Sequence, residues 1–173
     1  MENGSVDHCD PVRTYGEITV RGMHTVSRLA QDSGGIFLDI GSGHGHFVLW
    51  AVTQGGFNES RGIEVVEDRH LVALQKASTV ANLVTLRWGD VREHLELLHG
   101  THLVFWNNLC FSSSTSASII QAFAERAARG AHLIALAEVA EVGSLNLKMR
   151  RGEVPIEVDW REEGYLPYVY IRT

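Results

Sequence analysis

The chain has 173 residues, 45% hydrophobic and 21% charged, with 17 glycines, three prolines and a formal net charge of −6. That length and balance describe one globular domain and exclude collagen-like, disordered and coiled-coil chains. Fifteen basic residues against twenty-one acidic ones argue against a broad grip on nucleic acid, which rests on Lys and Arg at phosphates, and are compatible with a cationic substrate.

Apolar runs such as Ile36–Leu38 and His132–Ala137 fall far short of the ~20 residues of a membrane span. The start, Met-Glu-Asn-Gly-Ser-Val-Asp-His, lacks the basic and apolar parts of a secretory leader, so the expectation is a protein that stays inside a cell and off membranes. Cys9 and Cys110 are far apart and form no C-x-x-C, which indicates neither a disulfide scaffold nor a zinc site and fits a reducing compartment.

Residues 1–18 mix Gly, Ser, Asp and Pro without periodicity and read as an arm; residues 19–173 read as the core. From Thr19 to Gln31, Val20, Met23, Val26, Leu29 and Ala30 recur at helical spacing. Ile36 to Ile40 is a strand, His46 to Gln54 a helix, Arg61 to Val65 a strand, Glu67 to Val80 a helix and Leu83 to Arg87 a strand. A short helix over Val91–Leu98 leads to a strand at Thr101–Trp106, a serine-capped helix at Ser114–Arg129 and a strand at Ala131–Glu138. Such alternation predicts an α/β fold, a doubly wound and mostly parallel sheet covered on both faces. Ile156–Trp160 and Tyr165–Ile171, separated by Arg-Glu-Glu-Gly, are too close for an intervening helix and are expected to pair as a C-terminal antiparallel hairpin.

Asp39-Ile-Gly41-Ser-Gly43-His-Gly45 sits where the first strand turns into a helix. Glycines there let the backbone approach a ligand, and the helix start offers free N–H groups. The dinucleotide fingerprint G-x-G-x-x-G would need glycine where His46 stands. Glu64 ends the second strand, where a carboxylate can accept both hydroxyls of a ribose. Asp90 follows the third strand and is suited to an adenine amino group, and Asp39 to the ammonium of an amino acid. Carboxylates at three neighbouring strand ends fit a ligand carrying an ammonium, a ribose diol and an adenine, and S-adenosylmethionine is such a ligand. His44 and His46 alone make an incomplete metal site, and no metal is expected.

After the fourth strand comes Trp106-Asn107-Asn108-Leu109-Cys110-Phe111. Paired asparagines at a strand's carboxyl end are costly unless they meet a ligand. Together with Tyr15-Gly16-Glu17, the stretch Leu38 to Gly45, and Val158-Asp159-Trp160 before a tyrosine-rich strand, these residues make the chain resemble the "disruptor of telomeric silencing" (Dot1-like) family. Its members are non-SET methyltransferases that modify a core lysine of histone H3, and the likeness runs from Thr14 to Thr173.

The resemblance implies a class I, Rossmann-like methyltransferase with a seven-stranded sheet. It places Tyr15, Gly16 and Glu17 in a loop over the cofactor S-adenosylmethionine, Asp39, Gly41 and Gly43 at its methionine end, Glu64 at the ribose and Asp90 at the adenine. Asn107 would lie beside the transferred methyl and the incoming amine, and Phe111 with Tyr168, or Tyr165 or Tyr170 in its place, would wall a lysine channel. His46 stands where the family commonly has Gln, Val91 where it has Phe, and Ile18 where it has Thr, with Thr19 one place later. The implied partners are histone H3 and the nucleosome, in the nucleus. Only Lys148-Met-Arg150-Arg151 is locally basic, so no dedicated DNA-binding segment is visible. Other readings are the same core acting on another protein or a small molecule, and a cofactor-binding module without catalysis.

Overall fold

Ile36-Phe-Leu-Asp-Ile is apolar on both faces, so it is stable as a strand only where both faces are covered. It forms β1 (Ile36–Ile40), with four of its five residues buried. The computed structural model describes residues 16–30, 34–140 and 142–173. Beside β1 lie β2 (Glu59–Glu64) on one side and β4 (Leu103–Trp106) on the other; β3 (Val84–Trp88) and β5 (His132–Ala135) continue outward, all parallel. Next come β6 (Leu147–Arg151), β7 (Ile156–Val158), β8 (Arg161–Tyr165) and β9 (Tyr168–Arg172). The seven-stranded sheet runs β3-β2-β1-β4-β5-β9-β6, with β9 antiparallel to both neighbours, and β7 pairs with β8 apart from it. Strand order reverses between β1 and β4, so a crevice opens at their carboxyl ends, the usual ligand position of such sheets.

Alternation along the strands divides two cores. Phe37, Leu103, Phe105, Ile134 and Val169 face α1 (Val20–Ala30) and α2 (His46–Thr53), meeting Met23, Val26, Phe47 and Trp50. Leu38, Ile40, Val104, Trp106 and Leu133 face α4 (Ser113–Arg126) through Ile119, Ile120 and Phe123. The remaining helix, α3 (Glu67–Ala77), packs on β2 and β3 and buries only Ala73 and Ala77. Thr19 starts α1 by accepting from the Gly22 N–H at 3.1 Å, and Ser112 starts α4 by accepting from the Thr115 N–H at 3.2 Å. No helix among the described residues is long and apolar enough to cross a membrane.

The mostly parallel seven-stranded sheet and a C-terminal antiparallel hairpin agree with the sequence reading, but the hairpin's turn and second strand lie elsewhere than expected. Ile156–Val158 pairs with Arg161–Tyr165 across the turn Asp159–Trp160, so the expected Arg-Glu-Glu-Gly turn is itself strand. Tyr168–Arg172 instead inserts between β5 and β6. The sequence hides β6 because Leu147-Lys-Met-Arg-Arg is an edge strand with four of its five residues exposed, and edge strands are commonly charged rather than alternating. The helix expected over Val91–Leu98 is two short 3-10 turns, Val91–Glu93 and Leu95–Leu98.

Candidate active site

At the crevice between β1 and β4 lies a cavity of about 510 Å³, within the range of small-molecule sites. Its floor is the glycine loop. Gly41, Gly43 and Gly45 all take positive φ, at 80°, 52° and 77°, a region that side chains disfavour. The loop docks on β2 through Gly41 N and Ser42 N, each donating to Ile63 O at 2.9 Å.

Glu64 ties two loops together. One carboxylate oxygen accepts from Gly43 N at 2.8 Å and the other from Val66 N at 2.9 Å. A carboxylate offers about four acceptor positions, which leaves capacity for ligand hydroxyls. Asp39 is also buried, and burial pushes its carboxyl up to about 8, with Glu64 and Glu17 adding to the effect. No cation among the described residues is a cause of that shift. Asp90 lines the same cavity and caps the first 3-10 turn, accepting from Arg92 N at 2.8 Å. Hydrogen bonds from the Arg92 side chain hold its carboxyl below the ordinary range.

Across the crevice the chemistry is neutral. Asn107 lines the cavity; its side-chain oxygen is buried and has no hydrogen-bond partner among the described residues, a costly state. Asn108 is 6% exposed, and its amide pairs with Ala137 in both directions, donating to the carbonyl at 2.9 Å and accepting from the N–H at 2.7 Å. Leu109, Phe111 and Trp160 form an apolar rim.

The rim joins two distant segments. Glu17 N donates to Asp159 Oδ1 at 2.9 Å, Asp159 N donates to Glu17 O at 3.1 Å, and Ile18 bridges to Val158. Gly16 lies flat on the Trp160 indole, where an added Cβ would come within 2.2 Å of the ring. The Glu17 carboxylate then reaches the glycine loop, 3.4 Å from His44 Nδ1 and hydrogen-bonded to His46, whose other ring nitrogen meets Lys76.

The structure thus brings together Glu17, Asp39, Gly41, Gly43, His46, Glu64, Asp90, Val91, Asn107 and Phe111 around one cavity. Tyr15 lies outside the described residues, as does Cys9. Tyr168 and Tyr165 do not line the cavity. Tyr168 is on β9, beyond β5, and packs under the Arg151 guanidinium at 3.9 Å. Tyr165 accepts from Trp160 Nε1 at 3.3 Å and so backs the rim instead of forming it. Tyr170 is wholly buried, its hydroxyl accepting from Val139 N at 2.8 Å. The sequence reading places Trp160, Leu109, Arg69, Ser112 and Thr115 outside the site; of these, Trp160 and Leu109 carry a signal, as parts of Val158-Asp159-Trp160 and of the stretch from Trp106 to Phe111. Cys110, also in the wall, is disulfide-bonded, which the two widely spaced cysteines did not announce.

Searching curated protein sequences gave no match. Among solved structures, the chain is similar to an RNA methyltransferase from Salinibacter ruber in complex with S-adenosyl-L-homocysteine, at 22% identity, TM-score 0.63, and 91% and 92% coverage of the two chains. It is also similar to TrmK of M. capricolum in complex with S-adenosyl-homocysteine, at 12% identity, TM-score 0.67, and 90% and 69% coverage. A third similar structure is precorrin 8w decarboxylase of Methanobacterium thermoautotrophicum, at 14% identity, TM-score 0.63, and 95% coverage of each. At these identities the likeness shows the fold, that of Rossmann-like methyltransferases. The family described as "Histone methylation protein DOT1" matches residues 10–155, most of the chain and all of the cavity except Trp160. The chain therefore belongs to the histone methylation DOT1 family.

Proposed function

We propose that this S-adenosylmethionine-dependent methyltransferase transfers its methyl group to the side-chain amine of a lysine in histone H3, within nucleosomes and in the nucleus. The observation that carries the reading is the Asn107 amide side chain in the cavity wall, beside Phe111 and across from the acids, in a chain of the histone methylation family. An amide oxygen suits an amine N–H, and the acids opposite suit the cationic cofactor.

The residues fit the cofactor: Asp39 is a buried carboxyl with no cation among the described residues acting on it, Glu64 has acceptor capacity beyond its two backbone donors, and Asp90 stands at the third strand end. Asp39 would take the methionine ammonium, Glu64 the ribose hydroxyls, and Asp90 the adenine amino group. Bound there, S-adenosylmethionine supplies a methyl on a sulfonium, an electrophile that needs an unprotonated amine in line with it. A free lysine has a pKa of ~10.4 and is charged at neutral pH. Leu109, Phe111 and Trp160 exclude water at the rim and favour the neutral amine. Asn107 then orients that amine through its side-chain amide, so this chain's share of the chemistry is desolvation and positioning.

The test is labelled methyl transfer to reconstituted nucleosomes, free core histones, bulk transfer RNA and a no-acceptor control, with product peptides read by mass spectrometry. The expected result is label on an H3 lysine that disappears in Asn107→Ala. Label on RNA alone, or on a non-histone acceptor alone, would replace the proposed substrate.

A further inference from the structure

Asn107 keeps a buried acceptor without a donor. A loop residue free to rotate would turn such an amide toward the nearest N–H, so something must fix the chain where β4 ends. The last backbone rung between β4 and β5 is Trp106 with Ala135. Two residues further along each chain stand Asn108 and Ala137, and there the Asn108 side chain supplies the next rung, a donor to the Ala137 carbonyl and an acceptor for its N–H. Ala137 is itself held from the far side, because Val139 N donates to the hydroxyl of Tyr170, a β9 residue with no exposed surface. One strut therefore runs from the buried Tyr170, through residues 137–139, to Asn108 and the backbone beside Asn107.

We infer that Asn108 is a positioning residue for methyl transfer: its buried amide, sutured to Ala137, holds the neighbouring Asn107 amide in the cavity wall. Only an amide serves here. Aspartate keeps the acceptor for the Ala137 N–H but sets a carboxylate against the Ala137 carbonyl. The inference rests on the proposed role of Asn107 beside the transferred methyl. It adds that the second asparagine, which faces no ligand, sets how well the first one works.

The test uses two cofactor analogues, so it needs no knowledge of the acceptor. Sinefungin carries an amine-bearing carbon where the methylsulfonium stands, and S-adenosylhomocysteine carries a neutral thioether sulfur there, without the methyl. Calorimetry of both ligands is run on wild type, Asn107→Ala, Asn108→Asp and the double variant, with a thermal melt of each. Asn107→Ala is expected to lower sinefungin affinity about tenfold relative to S-adenosylhomocysteine, the value of one lost hydrogen bond to a charged group. Asn108→Asp is expected to do the same while S-adenosylhomocysteine affinity stays within about threefold, and the double variant to be no worse than either single one. A folded Asn108→Asp with the wild-type preference, or losses that multiply in the double variant, would overturn the inference. Asn107→Ala with the wild-type preference would remove the underlying reading instead. Should Asn108→Asp fail to fold, Tyr170→Phe takes its place, since it cuts the strut at its far end by removing only a hydroxyl. It is expected to lower the sinefungin preference about threefold, and an unchanged preference in folded Tyr170→Phe overturns the strut.

Discussion

The two banks of the crevice solve different problems with different chemistry. On the β1–β2 bank the side chains are carboxylates, one desolvated and one pinned by two backbone N–H groups. On the β4–β5 bank they are amides, one pinned by two backbone contacts and one left unpaired. On each bank one side chain is pinned to the backbone; Glu64 still lines the cavity, whereas Asn108 does not. The difference is charge: in the proposed function carboxylates would recognise a permanent cation, whereas a neutral amide would orient an amine without fixing a positive charge on it. An ammonium held by a carboxylate would be a poor nucleophile, since ion pairing stabilises the protonated form.

The largest effect is expected at the pinned acid. Glu64→Ala leaves the Gly43 and Val66 N–H groups without their acceptor, costs about 2–4 kcal/mol in urea unfolding, and abolishes S-adenosylhomocysteine binding. Should Glu64→Ala bind normally, the glycine loop would not depend on this tie. Next is Asp39→Asn, expected to weaken cofactor binding about 100-fold by removing the ammonium's partner.

That variant also has a pH signature. With the folded carboxyl at about 8 and the ordinary value at 3.8, the folded protein holds a proton between these values that the unfolded chain has released. Ligand-free stability therefore falls as pH rises through this window, and Asp39→Asn removes the slope, raising Tm near pH 8 by a few degrees. Wild-type cofactor affinity rises with pH below about 8, by up to about tenfold per unit, because binding expels that proton. A flat wild-type profile from calorimetry would contradict the buried, protonated Asp39.

Gly16→Ala tests the seam between the banks. Its Cβ meets the Trp160 ring, so the rim must open; about tenfold weaker cofactor binding is expected, with Tm lower by a few degrees. Tyr168→Phe is expected to change turnover less than about twofold, because the ring keeps its contact with Arg151 and loses only a hydroxyl outside the cavity. A larger loss in methyl transfer would return Tyr168 to the acceptor channel.

Local order made much of this legible. The glycine loop and the acids at the ends of β1, β2 and β3 are each set by a few consecutive residues, and the structure gathers them at one cavity. What sequence does not show is pairing at a distance. Gly16 and Trp160 meet because residues 17–19 add to the edge of β7, a register that no local pattern encodes. The family likeness held both segments without saying that they touch. The tyrosine-rich strand misled for a related reason: its alternation fits either a hairpin or insertion into the main sheet, and insertion carries Tyr168 away from the cavity. Thr19, one place later than in the family, makes structural sense as the α1 cap, with Glu157 accepting its hydroxyl at 2.8 Å.

The division of labour between the banks is tested most directly by calorimetry of S-adenosylhomocysteine, with labelled methyl transfer to H3 nucleosomes, on wild type, Asp39→Asn and Asn107→Ala. The account predicts that Asp39→Asn loses binding, whereas Asn107→Ala binds within about threefold of wild type yet transfers methyl about 100-fold more slowly. Wild-type transfer by Asn107→Ala, or unimpaired binding by Asp39→Asn, would contradict it.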